Sequence, residues 1–546
     1  MPQTRNRWAA WLIVAVLMPG GWGAPSRGGA EPAADAAEEP ADLTADLTAD
    51  PTADPTADPA GAAAEEPAET TAPRDTQAAA VDQPPAADED ATPGEPPATA
   101  EPAAPGQPDR VRVKLDVSGE IFAPAGRDAP PLRLTTNLDA MFDFTEVPLP
   151  ATDAAEPLVE RRYADAVADL RIDGGDRRVA LAPEARVVRV ALRGTTPSPY
   201  LERGFLTRDE LDLLEIPFDP LLTATLRPGR TVAVGDSWTI PADAAAGLLA
   251  IDTVESGGLE ARLDEVVDGL AVVSITGMVD GAADGVPTHV TVEGSCRLPA
   301  TAAAEGHWAV DQPPQSAAIT IRERREAGHV APGFDVEARV SFARSAIGAA
   351  AQPAQATDVS AEVGPRRDGP GRPGLVWHRD PLGRFELVHE TGWRTIEDGP
   401  DGLVLRLVDH GALVAQCSVT ALPRASAATP PTIAEVERDL ARSLAGQFGA
   451  VEHSSEATRT DGVRIVRVVA GGRAGDLPFR WIHAVLTDDA GHRLAVTCLL
   501  EAALAERFGD ADRRLVDGIR LPAAPAAAPE AAGDREARLP QDSRTP

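Results

Sequence analysis

The sequence predicts an exported chain with two folded domains: a β-rich N-terminal domain with an antiparallel sheet, and an α+β C-terminal domain. Three observations predict this. The chain begins like a secretory leader, its first half alternates apolar and polar residues with few helical signals, and its second half mixes strands with amphipathic helices. A long acidic segment, predicted to be disordered, separates the leader from the first domain.

Residues 1–30 resemble a signal peptide. Arg5 and Arg7 precede an apolar run over residues 8–18, and Pro19-Gly20-Gly21 follows it. The run is shorter than the ~20 residues of a membrane-spanning helix, so we expect cleavage and no stable transmembrane segment afterwards. The expected location is periplasmic or extracellular; the alternative is an uncleaved anchor. Small residues offer two cleavage positions: Gly21 and Gly23, or Gly28 and Ala30.

Residues 31–109 hold 20 acidic residues and one basic residue, Arg74, so they carry −19 of the net charge of −34. The rest is mostly Ala, Pro and Thr, with a tetrapeptide repeat that begins at Ala41-Asp42-Leu43-Thr44. Such a segment buries too little apolar surface to order itself, so we predict a disordered linker. A cation-binding or wall-binding tether is the alternative. Residues 346–374 and 523–546 are predicted to be a second linker and a disordered tail.

Residues 110–345 are predicted to form the antiparallel sheet. Alternation at residues 111–117 and again at 334–342 places apolar side chains on one face. Asp268-Gly269 predicts a type I′ hairpin, and reversals are also expected at residues 173–176 and 284–285. Short helices are expected over Thr207–Leu214, with a capping box of Thr207 and Glu210, and over Pro241–Leu249.

This first region resembles the half-barrel of LolA-like envelope proteins. Its segment Val234-Gly235-Asp236-Ser237-Trp238 is also similar to a sequence motif found in uncharacterised exported bacterial proteins. LolA-like folds carry acyl chains on their concave side, so the resemblance implies an apolar ligand. The alternative, which we favour, is that the apolar face is a filled core, because any sheet core requires such alternation.

Residues 375–522 predict the order βββ-α-βββ-α. The strands are expected at 385–389, 403–407, 413–422, 463–469, 479–486 and 494–499. A helix is expected from the capping box at Thr432 and Glu435 to a stop at Gly449, with an apolar stripe that reaches Phe448. A hairpin is expected around residues 489–491, and a last helix over residues 512–519 buries Leu515, Val516 and Ile519.

This second region resembles the PsbP and Mog family, including small exported bacterial members. The matching motifs are Phe385-Glu386-Leu387 with Gly392-Trp393, Ala415-Gln416-Cys417, the capped helix and Gly491-His492-Arg493. The resemblance implies an antiparallel sheet with helices packed on it. It also implies a mostly non-enzymatic role in interaction or assembly.

Several residue types that carry chemistry are scattered along the chain. The three cysteines are expected to be buried strand residues, with a Cys417–Cys498 bridge as the alternative. The acidic loop at residues 397–402 is expected to be a turn, with cation binding as the alternative. The histidines near strands lack metal-pair spacing: His307, His378, His389, His410 and His483. The tryptophans are expected to be packing anchors: Trp238, Trp308, Trp377, Trp393 and Trp481.

Function is predicted mainly by what the sequence lacks. The acidic balance argues against nucleic acid, and no nucleophile elbow, phosphate loop, dinucleotide fingerprint or zinc motif occurs. We therefore expect no catalytic, cofactor-binding or metal-binding residues and no cofactor. The leading hypothesis is a non-catalytic binding or scaffolding protein of the bacterial cell envelope with an unknown protein partner. The alternatives are a LolA-like carrier of an apolar ligand or lipid, and a hydrolase with a non-local active site.

Overall fold

The computed structural model describes residues 108–123, 131–150, 158–283, 286–304, 306–326, 332–347, 369–409, 412–424 and 431–522. All of them belong to one compact unit of the chain. The predicted leader, almost all of the acidic linker, most of the second linker, the tail and His410 lie outside the described residues. The domain division at 110–345 and 375–522 stays a prediction.

The first region is built almost entirely from strands. In chain order these are β1 Asp109–Ala123, β2 Leu132–Pro148, β3 Leu158–Ile172, β4 Gly175–Ala180, β5 Val187–Arg193, β6 Thr196–Tyr200, β7 Leu206–Thr207, β8 Val232–Ala233, β9 Ser237–Ile240, β10 Thr253–Val267, β11 Leu270–Ala283, β12 Val286–Pro299, β13 Thr301–Ala304, β14 His307–Ala309, β15 Ser316–Arg325 and β16 Gly333–Ala346.

Twelve of these strands form one antiparallel sheet. Their order is β6-β5-β3-β2-β1-β16-β15-β12-β11-β10-β9, and β4 pairs with β3. The first and last long strands are neighbours at the centre, because Val113 of β1 lies opposite Phe342 of β16. Strands β8, β13 and β14 form a separate small sheet. The antiparallel sheet predicted for this region is confirmed.

The sheet has one buried and one exposed face, as the period of two predicts. Val111, Val113 and Leu115 are buried while the residues between them are exposed or half-buried. The hairpin at Asp268-Gly269 is confirmed, since both residues have positive φ, 53° and 76°. Asp173-Gly174 also turns with positive φ between β3 and β4. Residues 284–285 lie outside the described part of the chain.

Two seven-residue helices lie between β7 and β10: α1 Arg208–Leu214 and α2 Ala242–Leu248. The predicted capping box is present, because Thr207 accepts from the Glu210 amide while the Glu210 side chain accepts from the Thr207 amide. The apolar residues of both helices join the core of the large sheet, Leu211, Leu213 and Leu248 among them.

The second region has ten strands and three helices among the described residues. The strands are β17 Leu375–Arg379, β18 Glu386–Glu390, β19 Trp393–Gly399, β20 Gly402–Asp409, β21 Ala412–Leu422, β22 Phe448–Thr458, β23 Arg464–Ala474, β24 Leu477–Thr487, β25 Arg493–Glu501 and β26 Ile519–Arg520. The helices are α3 Ile433–Leu444, α4 Ala505–Phe508 and α5 Ala511–Gly518.

Seven of these strands form an antiparallel sheet in the order β19-β20-β21-β25-β24-β23-β22. Helix α3 packs Val436, Leu440 and Leu444 against one face. The other face packs against α4 and α5, where Leu515, Val516 and Ile519 are buried as predicted. An antiparallel sheet with helices packed on it is therefore confirmed for this region.

The predicted element order of the second region is wrong in detail. Strands β17, β19, β22 and β26 are additional, and β17 and β19 bring the number of strands before α3 to five instead of three. Helix α3 ends at Leu444, because Ala445 has φ 44° and turns the backbone away; Phe448 and Gly449 begin β22. The apolar spacing that suggested a longer helix extends into the strand, where Phe448 packs against the same core cluster as the helix.

Candidate functional site

The buried face of the twelve-stranded sheet is the first candidate site, because a half-barrel could hold a ligand there. Its large side chains pack against one another in a single core that includes Leu115, Leu138, Phe142, Phe144, Phe334, Val340 and Phe342. Each of these is at most 4% exposed. Among the described residues this face is filled by the protein's own side chains.

A small cavity lies where the helical segment meets edge strand β6. It is lined by Thr196, Pro197, Leu214, Glu215, Ile216, Asp219, Leu222, Ala246, Gly247, Ala250 and Ile251, and its volume is about 30 Å³. That is about the volume of one water molecule in the liquid, whereas sites for small organic ligands measure roughly 300–1,000 Å³. This cavity has room for water and not for an acyl chain.

One end of the sheet holds a buried set of charges, here called the sheet-end network: Arg161, Glu146, Asp219 and Arg344. Arg161 donates to Glu146 at 2.9 Å and to both oxygens of Asp219 at 2.5 and 2.8 Å. Arg344 donates to the other oxygen of Glu146 at 3.0 Å. Burial would lower the pKa of Arg161, but Asp219 and Glu146 raise it well above its ordinary value. The network fastens the segment around Asp219 to the sheet, and both carboxylates in it accept from arginines.

The two regions meet in a four-stranded sheet of order β26-β18-β17-β7. Strand β7 from the first region pairs in parallel with β17 from the second, with Leu206 opposite Val376 and Thr207 opposite Trp377. Helix α1 follows β7 directly and contacts β17, and Arg394 of β19 is near enough to act electrostatically on Asp212 of this helix. This arrangement places polar residues from both regions at one junction.

We call these residues the junction cluster: Arg208, Asp212, His378, His389, Arg394 and Asp398. Arg208 pairs with Asp212 on α1, with 2.6 Å between Nη2 and Oδ1. Asp212 and Arg394 are only 1% and 2% exposed. Burial raises the pKa of Asp212 to about 6, against the lowering effect of Arg208 and Arg394.

The two histidines of the cluster lie diagonally opposite on adjacent strands. Val376 pairs with His389 and His378 pairs with Leu387, so both imidazoles lie on the same face. Burial lowers the pKa of His378 to about 4 and that of His389 to about 3. Both imidazoles are therefore neutral at pH 7. His389 Nδ1 lies 2.9 Å from the backbone carbonyl of Glu390 and so carries the proton that it donates.

Asp398 comes from the acidic loop and approaches His378 at 3.7 Å between Oδ1 and Nε2, too far for a hydrogen bond. Burial, and secondly Asp380, raise its pKa to about 6. The loop itself is the end of β19 and a turn into β20, with Glu397 to Gly399 in the strand. The expectation of a turn is confirmed for Pro400 and Asp401.

The junction cluster contains titratable groups with shifted pKa values, which is typical of functional sites. Its members lie on α1 and on strands β17 to β19, and Arg208 and Asp212 form an ion pair within it. We interpret it as a polar seam between the two regions. The sequence analysis named His378, His389 and Asp398 as separate candidates. It missed Arg208, Asp212 and Arg394, because charged residues are common in helices and strands and nothing in the local sequence distinguishes these three.

The remaining candidate residues lie apart from the junction. His483 is buried, with Nδ1 2.8 Å from the hydroxyl oxygen of Thr497, and burial lowers its pKa to about 4. His307 is exposed on β14. Trp238 donates to the Leu226 carbonyl at 3.0 Å, and Trp393 is fully buried, as packing anchors should be. Within the described ranges no group of three or more His, Cys, Asp or Glu residues could hold a metal ion.

All three cysteines are free, buried thiols. Cys417 on β21 lies directly opposite Cys498 on β25, so the predicted shared neighbourhood is correct while the bridge is absent. The segment 234–238 is a turn that leads into β9 at Ser237: Gly235 has φ 96°, and the Asp236 carboxylate accepts from the Ala233 amide at 3.0 Å. None of the helices described is long and apolar enough to span a membrane.

Comparison with solved structures finds similarity to cyanobacterial PsbP from Synechocystis sp. PCC 6803, at 14% identity and TM-score 0.23, over 27% of this chain and 93% of that one. Lipovitellin, whose structure concerns lipid–protein interactions, matches at 9% identity and TM-score 0.24 over 46% of this chain and 26% of its own. DynF from the dynemicin biosynthesis pathway of Micromonospora chersina matches at 9% identity and TM-score 0.13, over 50% of this chain and 96% of its own. No family model and no curated protein matches.

Proposed function

We propose that this chain is an exported, non-catalytic binding or scaffolding protein of the bacterial cell envelope. The observation that supports the proposal best is the filled face of the twelve-stranded sheet. A carrier needs an enclosed apolar space, and here Phe142, Phe144 and Phe342 occupy the middle of that face.

The junction supports a scaffolding role in a second way. Strand β7 completes the small sheet of the second region, and the Arg208–Asp212 pair lies beside it. The described parts of both regions therefore present their outer surfaces as one unit. In our proposal the second region belongs to the PsbP and Mog-like interaction modules, and the acidic linker holds the folded part away from the membrane or wall.

Native mass spectrometry of the full-length exported protein tests the proposal. The protein is purified from the envelope fraction in mild detergent, before and after organic extraction, and again after incubation with membrane lipid extract. We expect the bare polypeptide mass in all three samples, because the filled face leaves no space for an apolar molecule. A parallel sample cross-linked in the intact envelope is expected to contain one protein partner in fixed stoichiometry.

Two results would contradict the proposal. An apolar adduct of one molecule per chain that disappears on extraction would make the protein a carrier. A cross-linked sample without any stoichiometric partner, together with turnover of a substrate from envelope extract, would favour the hydrolase alternative.

A further inference from the structure

A pocket rich in basic residues lies at one end of the seven-stranded sheet, where β21 ends and β25 begins. Its volume is about 320 Å³, and it is lined by Gly383, Arg384, Ala421, Leu422, Arg424, His492, Arg493 and Pro522. Three of these residues are arginines, one is a histidine and none is acidic. We call this site the basic pocket. Such a concentration of cationic side chains is notable in a chain of net charge −34.

Arg493, one of the residues that line this pocket, has an unsatisfied donor. Its Nε is buried and has no hydrogen-bond partner in the described part of the chain. It is the first residue of β25 and lies opposite Leu422 on one side and Thr487 on the other. Glu435 interacts with it electrostatically, but the Oε2 of Glu435 already accepts from the amide and hydroxyl of Thr432 at 2.8 and 2.9 Å. A buried N–H of this kind is costly unless a ligand satisfies it.

Arg424 is held at the pocket by a chain of hydrogen bonds. Its guanidinium contacts Nε2 of His492, and because arginine can only donate, this nitrogen accepts. The proton of His492 is then on Nδ1, which donates to Asp488 at 2.7 Å. The Asp488–His492–Arg424 chain orients one guanidinium without neutralising it with a carboxylate.

Arg384 supplies charge rather than free donors. Its guanidinium donates to Asp380 at 2.6 and 2.9 Å, and also to the carbonyls of Gly399 and Pro400. Arg424 and Arg493, in contrast, form no ion pair with any carboxylate of the described residues. Arg424 and Arg493 thus line the pocket with N–H groups that bind no carboxylate, beside Arg384, whose guanidinium is already bound to Asp380.

We propose that the basic pocket binds a phosphoryl group. Two guanidinium groups that form no ion pair with a carboxylate favour a dianion over the single charge of a carboxylate, and the planar arginine fork matches phosphate oxygens. The inference goes beyond the proposed function. The pocket lies in the second region, away from the filled sheet face, so a lipid adduct on that face would overturn the proposed function without affecting this result.

Isothermal titration of the full-length protein with inorganic phosphate at low salt tests the proposal. Arg493→Gln and Arg424→Gln are each expected to weaken phosphate binding at least about tenfold, because each removes charge-assisted hydrogen bonds. The matched control is Arg473→Gln. Arg464 of β23 pairs with Thr487 of β24, which pairs with Arg493 of β25. Arg473 is nine positions further along β23 than Arg464, so Arg473 lies ~30 Å from the pocket along the sheet. This variant is expected to bind like the wild type.

Further arms identify the source of the phosphoryl group. Acetate replaces phosphate in one titration, and phosphatidylcholine vesicles with and without phosphatidic acid replace it in another. If the wild type binds the vesicles that contain phosphatidic acid and both pocket variants do not, the proposal is supported and the phosphoryl group comes from a lipid headgroup. Binding of free phosphate alone supports it with a soluble ligand.

Three outcomes overturn the proposal: no binding of phosphate in either form by the wild type, equal binding by the wild type and all three variants, or acetate binding as tight as phosphate. Thermal melting of each variant accompanies the titrations. Because Arg424 is exposed, its variant keeps the test decisive if Arg493→Gln fails to fold.

Discussion

The sheet-end network and the junction cluster are both buried sets of Arg, Asp and other polar residues, yet their electrostatics differ. In the sheet-end network Arg161 bonds two carboxylates at 2.5–2.9 Å, and the pKa of its guanidinium is raised, so its charged form is stabilised. In the junction cluster burial raises the pKa of Asp212 to about 6 and lowers that of His389 to about 3, so the neutral forms are favoured.

The difference comes from how completely each charge is surrounded by partners. Arg161 lies between two carboxylates, that of Glu146 on β2 of the large sheet and that of Asp219 in the segment that follows α1. Asp212 has its main partner, Arg208, one turn away on a seven-residue helix, and the nearby imidazoles are uncharged. A buried charge is therefore tolerated at the sheet end and only marginally tolerated at the junction. We expect the sheet-end network to support stability at all moderate pH values and the junction cluster to make stability depend on pH.

The largest effect is expected for Arg161→Met. This change leaves Glu146 and Asp219 buried with less compensation, which costs about 3–5 kcal/mol of unfolding free energy. Urea unfolding at pH 7 measures it. Arg178→Met is the matched control, because its partner Asp169 is exposed and surface pairs contribute about 0–1 kcal/mol. Equal losses in the two variants would contradict the distinction between the network and a surface pair.

The second effect is a change in pH dependence for His389→Gln. The pKa of His389 is about 3 in the folded protein and ~6.5 in the unfolded chain, so its contribution is present above pH 6.5 and is lost as the pH falls. Asp212 acts in the opposite direction, because its raised pKa makes it favour folding at low pH and lose that effect as the pH rises through about 6. Removing the imidazole should abolish acid destabilisation on the order of 3 kcal/mol between pH 7 and pH 4.

Urea unfolding of His389→Gln at a series of pH values checks this expectation. His453→Gln, which changes an exposed histidine on β22, is the control and should keep the wild-type pH slope. If both variants keep the wild-type slope, His389 does not titrate differently in the folded and unfolded states, and its imidazole is not a source of the pH dependence.

The smallest effects are expected at two matched helix caps. Thr207→Ala at the junction and Thr432→Ala on the far sheet each remove a capping box, at a cost of about 1 kcal/mol. Thr207 should cost more, since it is also a residue of β7 and lies opposite Trp377. Equilibrium unfolding of both variants, with Thr→Ser at each position as the conservative control, ranks them. A larger loss at the exposed Thr432 would show that the Thr207 side chain contributes little at the junction beyond its cap.

Much of the fold was predictable because local patterns act within single elements. Alternation predicted β1 and β16, Asp268-Gly269 predicted its hairpin, and Thr207 and Thr432 predicted two helix starts. Errors arose where a local pattern has two readings. The apolar spacing after Leu444 suits a helix or a strand start, and β22 is an edge strand with few buried residues to mark it.

The candidate sites were less predictable, because they depend on contacts between distant residues. Arg161 meets Asp219 across 58 positions, and Arg424 meets His492 across 68. Such pairs leave no spacing signal in the sequence. The sequence placed Cys417 and Cys498 in the same domain, but it did not predict that they lie opposite each other on neighbouring strands. Their state as free thiols also depends on the packed structure.

The sequence by itself determined the antiparallel β-rich class, the helix caps and the acidic composition, since these depend on side-chain periodicity, local hydrogen bonding and charge. The tertiary structure decided that the long sheet face is filled, that β7 pairs with β17, and that Arg424 and Arg493 line one pocket. Packing density and long-range register set these features. Both arise from free energies summed over many distant contacts, which no local segment of the chain contains.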